Sequence, residues 1–134
     1  IPQITKKFFD NRNLIEKNKR INLKIQGGGK TSRSFIYIDD FSEALILSSQ
    51  KKINNEIINI GNSKEIKIEK VINIISKYLG AKIIIKNTPL PKGGPLRRCP
   101  DIKKLRKIKF KPIYTNKKSI EKTVDWYWRY FNSN

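Results

Sequence analysis

Three arginines carry the most legible chemistry in this chain. Arg33 sits in the stretch GGGKTSRSFIYIDD (27–40), and Arg97 and Arg98 sit in PLRRCPDIKKL (95–105). They are three of only seven arginines in a chain whose positive charge is otherwise lysine. Lysine supplies bulk charge. Arginine adds a planar fork that grips a phosphate through two parallel hydrogen bonds. Two such segments, distant in sequence, point to a site that holds a phosphate or diphosphate between them.

The composition narrows the other chemistries. Histidine is absent, which removes His-based metal sites and Ser-His or Cys-His nucleophile pairs. Cys99 is the only cysteine, so no internal disulfide forms, a reducing cytoplasm fits, and the thiol reads as an inert loop residue. Net charge is +19 over 134 residues. That figure raises a second reading, a basic nucleic-acid-binding module. Against it, the lysines are dispersed and are not interleaved with aromatics in a binding motif. Lys, Ile and Asn are all used heavily, so much of the charge reads as a solvated face. A hydrophobic fraction of 37% with 13 aromatics supports a core and argues against wholesale disorder. There is no run of eighteen apolar residues and no signal-peptide pattern. The chain opens on Ile1 without an initiator Met, so a fragment of a larger enzyme is expected.

The elements that must position the arginines follow from pattern. Residues 2–10 read as a short helix with Pro2 in its first turn, and Ile4 and Phe8 inward. Residues 23–26 read as a strand stopped by Gly27–Gly28–Gly29, and 34–38 as a second strand. Asp39 or Asp40 then caps a helix with Phe41, Ala44, Leu45 and Ser48 on one face. Residues 56–60 read as a strand, with Ile66 as a single bridging position. Val71, Ile72 and Ile75 mark a helix that ends at Gly80. Residues 82–86 read as a strand and 87–100 as a Pro/Gly-rich loop. Asp101 caps a short helix, and Thr115 caps a last helix that buries Ile120, Val124, Tyr127 and Phe131. Helices and strands alternate, but the strands are too few for a complete doubly wound sheet. The expectation is a small α/β lobe spanning 1–134 as a single domain.

Five stretches in series resemble the C-terminal part of the extended short-chain dehydrogenases, the NAD(P)-dependent sugar-nucleotide epimerases and dehydratases. IPQITKKFF looks like the helix after the family's central sheet. LKIQGGGKTSRSFIYIDDFSEALILS is similar to its glycine loop, Arg, strand, Asp-Asp and helix. IINIGNSKEIKIEKVINIISKYLG resembles its Asn-x-Gly turn and helix. RRCPDIKKLRKIKFKP and SIEKTVDWYWRYF resemble its closing pattern. The chain departs at Gly28, where the family often has Asp, at Thr31, where it often has Gln, and at Ile108–Lys109–Phe110, where Leu-Gly-Trp is usual.

The resemblance implies a substrate-binding lobe with most of the Rossmann lobe absent. It implies that Arg33, and Arg97 or Arg98, contact the diphosphate of a nucleotide sugar. It places Asn59 beside the base or ribose, with Gln26 and Gly27 lining the same cleft through backbone groups. NAD or NADP belongs to the complete enzyme and is not expected on this chain alone, which lacks the glycine fingerprint opening a helix. A Rossmann lobe is the implied partner, a membrane is not, and a homodimer is the implied state of the complete enzyme. No catalytic residue is expected here. Two Tyr-x-x-x-Lys spacings, Tyr78 to Lys82 and Tyr114 to Lys118, read as coincidence, because each straddles a helix boundary. Asp39 and Asp40 read as caps rather than paired catalytic carboxylates, and Trp126 and Trp128 read as packing.

Overall fold

Ile21, Leu23 and Ile25 are buried, while Arg20, Asn22, Lys24 and Gln26 face out. This period of two makes β1 (Arg20–Gln26) a strand with one core face. In the computed structural model, which describes residues 1–50 and 56–133, β1 runs parallel to β4 (Lys82–Thr88), with Arg20 opposite Lys82 and Gln26 opposite Thr88. A second sheet has the order β3–β2–β5. Its central strand β2 (Ser32–Ser34) is antiparallel to β3 (Glu65–Lys67) and parallel to β5 (Arg97–Arg98). The fold is mixed α/β with small sheets.

Six α-helices accompany the two sheets among the described residues. They are α1 (Pro2–Phe9), α2 (Arg12–Glu16), α3 (Ile38–Gln50), α4 (Ile68–Tyr78), α5 (Lys103–Lys107) and α6 (Asn116–Ser133). The main core joins Phe8 of α1, the inner face of β1, Ile66 of β3, Val71, Ile72 and Ile75 of α4, and Ile120 and Val124 of α6. Apolar side chains three and four residues apart on α4 and α6 form the stripes that meet there. A smaller cluster joins Ala44 of α3, Ile102, Leu105 of α5 and Phe110, with Leu47, Ile58 and Ile60 packed on it. Thr115 caps α6 as its position predicts, its Oγ1 accepting from Lys118 N at 3.3 Å. Asp101 Oδ1 accepts from Lys103 N at 2.9 Å at the start of α5.

Four expectations need correction. The strand expected at 34–38 lies at Ser32–Ser34, because β3 offers only three partners, and helix begins at Ile38. Residues 56–60 form no strand, since no neighbouring strand among the described residues holds them in a ladder. On α3, Ala44 is buried but Phe41 and Leu45 are exposed. The helix is rotated so that Asp40 and Ala44 face inward. Asp40 is therefore no cap: it lies inside the first turn and is buried. Its carboxylate accepts from Ile113 N at 2.9 Å and Tyr114 N at 3.1 Å.

Candidate functional site

The run Gly27–Gly28–Gly29 follows β1 directly and forms a 3₁₀ turn with φ of 59°, 60° and 81°. Three successive residues at positive φ need glycine. Gly29 is the most constrained, because a Cβ there would stand 2.8 Å from Glu69 N in the first turn of α4. The turn carries the chain from the end of β1 into β2, and Arg33 lines one groove with Gln26 and Thr88, the last residues of β1 and β4.

The register of β2 with β5 then sets the arginines. Ser32 pairs with Arg97, and Arg33 pairs with Arg98. Adjacent strand residues point to opposite faces, so the two paired arginines share one face and Arg97 lies on the other. Arg97 Nε donates to Glu65 Oε1 at 2.5 Å, and Ser32 Oγ donates to Glu65 Oε2 at 2.7 Å. The Ser32 hydroxyl, and then Arg97, hold the Glu65 carboxyl below its ordinary range.

Arg33 and Arg98 line a groove of about 1190 Å³. Arg33 Nη1 donates to Ser32 O at 2.6 Å, and its Nη2 donates to Pro95 O at 3.0 Å. These bonds fasten the loop ahead of β5 against β2 and fix the guanidinium in place. Neither Asp39 nor Asp40 pairs with it. Arg98 is exposed and makes no ion pair or side-chain hydrogen bond among the described residues. Two guanidinium-bearing residues directly across a ladder repel. An anion between them removes that cost. The groove adds Lys7 and Lys24, and no Asp or Glu lies among its lining residues.

Gln26 lines the same groove. Gly27 is not among the lining residues, and a Cβ there would meet the side chain of Leu90, which does line the groove, at 2.9 Å. Asn59 stands elsewhere: it is exposed, and its Nδ2 donates to Asp101 O at 3.1 Å. The buried turn asparagine is Asn62, whose Oδ1 accepts from Lys64 N at 2.9 Å and whose carbonyl accepts from Ser34 Oγ. Sequence reasoning passed over Thr88 and Lys24, which also line the groove. The available signal was the parallel pairing itself, because ligands of open α/β sheets gather outside the carboxyl ends of strands. The Gly27–Gly29 turn leads into β2 and not into a helix. It therefore offers no helix N-terminus to a dinucleotide pyrophosphate and does not fit NAD. No group of three or more His, Cys, Asp or Glu among the described residues is placed to hold a metal, and no helix among them is long and apolar enough to cross a membrane.

The chain is similar in sequence and fold to known proteins. The model of the NAD dependent epimerase/dehydratase family matches residues 2–61. The UDP-N-acetyl-alpha-D-glucosaminuronate decarboxylase of Bacillus cytotoxicus is 32% identical over 112 residues, covering 78% of this chain and 35% of the relative. The UDP-N-acetylglucosamine 4-epimerase of Methanobrevibacter ruminantium, solved with UDP-N-acetylmuramic acid, superposes with a TM-score of 0.73 at 29% identity, over 97% of this chain and 39% of that one. The UDP-glucose 4-epimerase of Thermotoga maritima, solved with UDP-glucose, shares the fold with a TM-score of 0.77 at 19% identity, over 96% and 40%. The chain resembles the NAD-dependent epimerase/dehydratase family and fits the C-terminal part of its extended short-chain dehydrogenase members. It spans about a third of the length of the curated relatives it matches.

Proposed function

We propose that this chain is the substrate-binding part of an NAD(P)-dependent nucleotide-sugar epimerase or dehydratase, acting in the cytoplasm as a single domain. Arg33 and Arg98 clamp the diphosphate. The sugar is thereby presented for redox chemistry at C4 or a neighbouring carbon, carried out by NAD or NADP on another lobe. The observation that carries this reading is the pairing of Arg33 with Arg98 on adjacent parallel strands, both facing one basic groove. Gln26 and Thr88, at the strand ends, are placed to meet the nucleoside. Binding energy from the diphosphate, remote from the reacting carbon, positions the sugar for hydride transfer. The chain alone turns over no nucleotide sugar.

The test is calorimetric titration with UDP-glucuronic acid and UDP-N-acetylglucosamine at fixed salt. Arg33→Ala and Arg98→Ala are each expected to weaken binding by about 1.5–3 kcal/mol, the worth of a charged hydrogen bond. Unchanged affinity in both variants overturns the assignment. So does indiscriminate binding of polyanions that collapses steeply with salt, which is the behaviour of a nucleic-acid module.

A further inference from the structure

Positive charge gathers at a second place in the fold. A pocket of about 420 Å³ lies between the loop 62–64, α5 and the connection into α6, a size that suits a small ligand. It shares no lining residue with the groove of Arg33 and Arg98, so it stands independently of the proposed function. Lys64, Arg106, Lys109 and Lys111 line it, and no Asp or Glu does. None of the four forms an ion pair among the described residues. Arg106 is fixed by a neutral group, its Nη2 donating to Ser63 Oγ at 2.6 Å. Two acids of the adjoining pocket are engaged elsewhere. The Tyr114 hydroxyl donates to Asp39, and the Ile113 and Tyr114 amides donate to Asp40. Like charges gathered without a counter-charge repel, and an anion relieves that cost.

Two further observations point to a ligand there. Asn62 lines the pocket and is only 6% exposed. Its Oδ1 accepts from Lys64 N at 2.9 Å, but its Nδ2 donates to no group among the described residues. No fully buried side-chain nitrogen among them lacks a partner, so this amide is open to solvent with hydrogens to give. Lys109 has φ 67°, and its N donates to Arg106 O at 2.9 Å where α5 ends. Glycine is the ordinary residue at such a left-handed helix end, because a Cβ is strained there. Lysine holds the position against that strain and contributes a cation to the pocket. Ile102 and Phe110, both buried, and Tyr114 supply apolar wall. We propose that this pocket binds a phosphate monoester carried on a ring, of nucleoside-monophosphate size. Such an ester carries about two negative charges near neutrality, a better match to four cations than a single carboxylate. Its phosphate takes the fork of Arg106 and the lysine ammonium groups, with Asn62 Nδ2 donating to one oxygen. Its ring lies against Phe110 and Tyr114. The pocket has no tract of successive aromatic platforms, so it fits a small molecule rather than a nucleic-acid strand.

Calorimetric titration with AMP, adenosine and inorganic phosphate at fixed salt tests the site. The titrations use the chain carrying Arg33→Ala and Arg98→Ala together, which silences the groove. In that background AMP is expected to bind saturably, and at least about tenfold more tightly than adenosine or inorganic phosphate. Lys109→Gly removes a cation and relieves the left-handed strain. It is expected to hold or raise the urea midpoint while weakening AMP by at least about tenfold. Arg106→Gln is expected to weaken AMP by a similar factor. AMP affinity within about twofold of the background in either variant overturns the proposal. So does the absence of saturable AMP binding, or adenosine binding as tightly as AMP. Displacement of AMP by polyuridylate whose own affinity falls steeply with salt identifies a nucleic-acid surface and overturns it too. Titration of the parent chain with UDP-glucuronic acid reads the groove separately, so failure at one site leaves the other standing.

Discussion

Asp40 and Tyr114, 74 residues apart in sequence, are joined where the buried carboxylate Oδ2 accepts from the Tyr114 amide at 3.1 Å. Oδ1 takes the neighbouring Ile113 amide at 2.9 Å. The Tyr114 ring lies 4.6 Å from that of Tyr37, and its hydroxyl donates to Asp39 at 3.0 Å. One acid on α3 thus anchors the connection into α6. Asp40→Ala leaves two amides without acceptors and is expected to lower stability by about 2–4 kcal/mol, with Asp40→Asn losing less. Urea unfolding followed by circular dichroism measures both. Equal stability of Asp40→Ala and the parent chain would show the anchor to be idle.

Arg97 and Arg98 separate the roles of two adjacent charges. Arg97 is committed to Glu65, an exposed pair of small worth. Arg97→Ala is expected to leave UDP-sugar affinity within about twofold, against the loss of about 1.5–3 kcal/mol expected of Arg98→Ala. Calorimetry in which Arg97→Ala is the more damaging change would reverse the assignment.

Gly29→Ala places a Cβ at φ 81° against the backbone of Glu69. The strain falls on backbone, which cannot rotate away. A loss of more than about 1 kcal/mol is expected, read as a lower urea midpoint. Gly28→Ala meets nothing nearer than 3.6 Å and serves as the milder control.

Glu65 gives a pH dependence of defined sign. Its carboxyl is held below the ordinary value of 4.5 in the folded chain by Ser32 and Arg97. The contribution is fully present above the unfolded value and fades as pH falls through the folded one. Glu65→Gln is therefore expected to be less stable than the parent near neutrality and to converge with it in acid. A stability gap that widens on acidification contradicts the sign.

Phe8 is fully buried between α1 and the main core. Phe8→Ala is expected to cost about 3–5 kcal/mol through lost burial and the cavity left behind, measured by thermal or urea unfolding.

What the sequence made legible depended on whether the deciding contacts were local. The 3.6-residue spacing of Val71, Ile72 and Ile75 placed α4, and Thr115 placed the start of α6, because caps and apolar stripes act within a few residues. Residues 56–60 misled for the opposite reason. Their composition favours strand, but a strand exists only where another chain segment completes its ladder. Asp40 looked like a cap because its true partners lie 73 and 74 residues away. The arginines were legible as a chemical type, while their shared face was not. It emerges only from the two-residue ladder of β5 on β2, too short to leave a periodic signature.

The pairing of β1 with β4 also bears on how quickly the molecule forms. Every pair in that ladder lies 62 residues apart along the chain. Bringing them together costs loop-closure entropy before any of their contacts form. Non-local parallel pairing of this kind slows folding relative to helical bundles of the same size. On the ribosome, Ile21, Leu23 and Ile25 emerge well before Ile83 and Ile85 are made, leaving an apolar edge open to chaperones during synthesis.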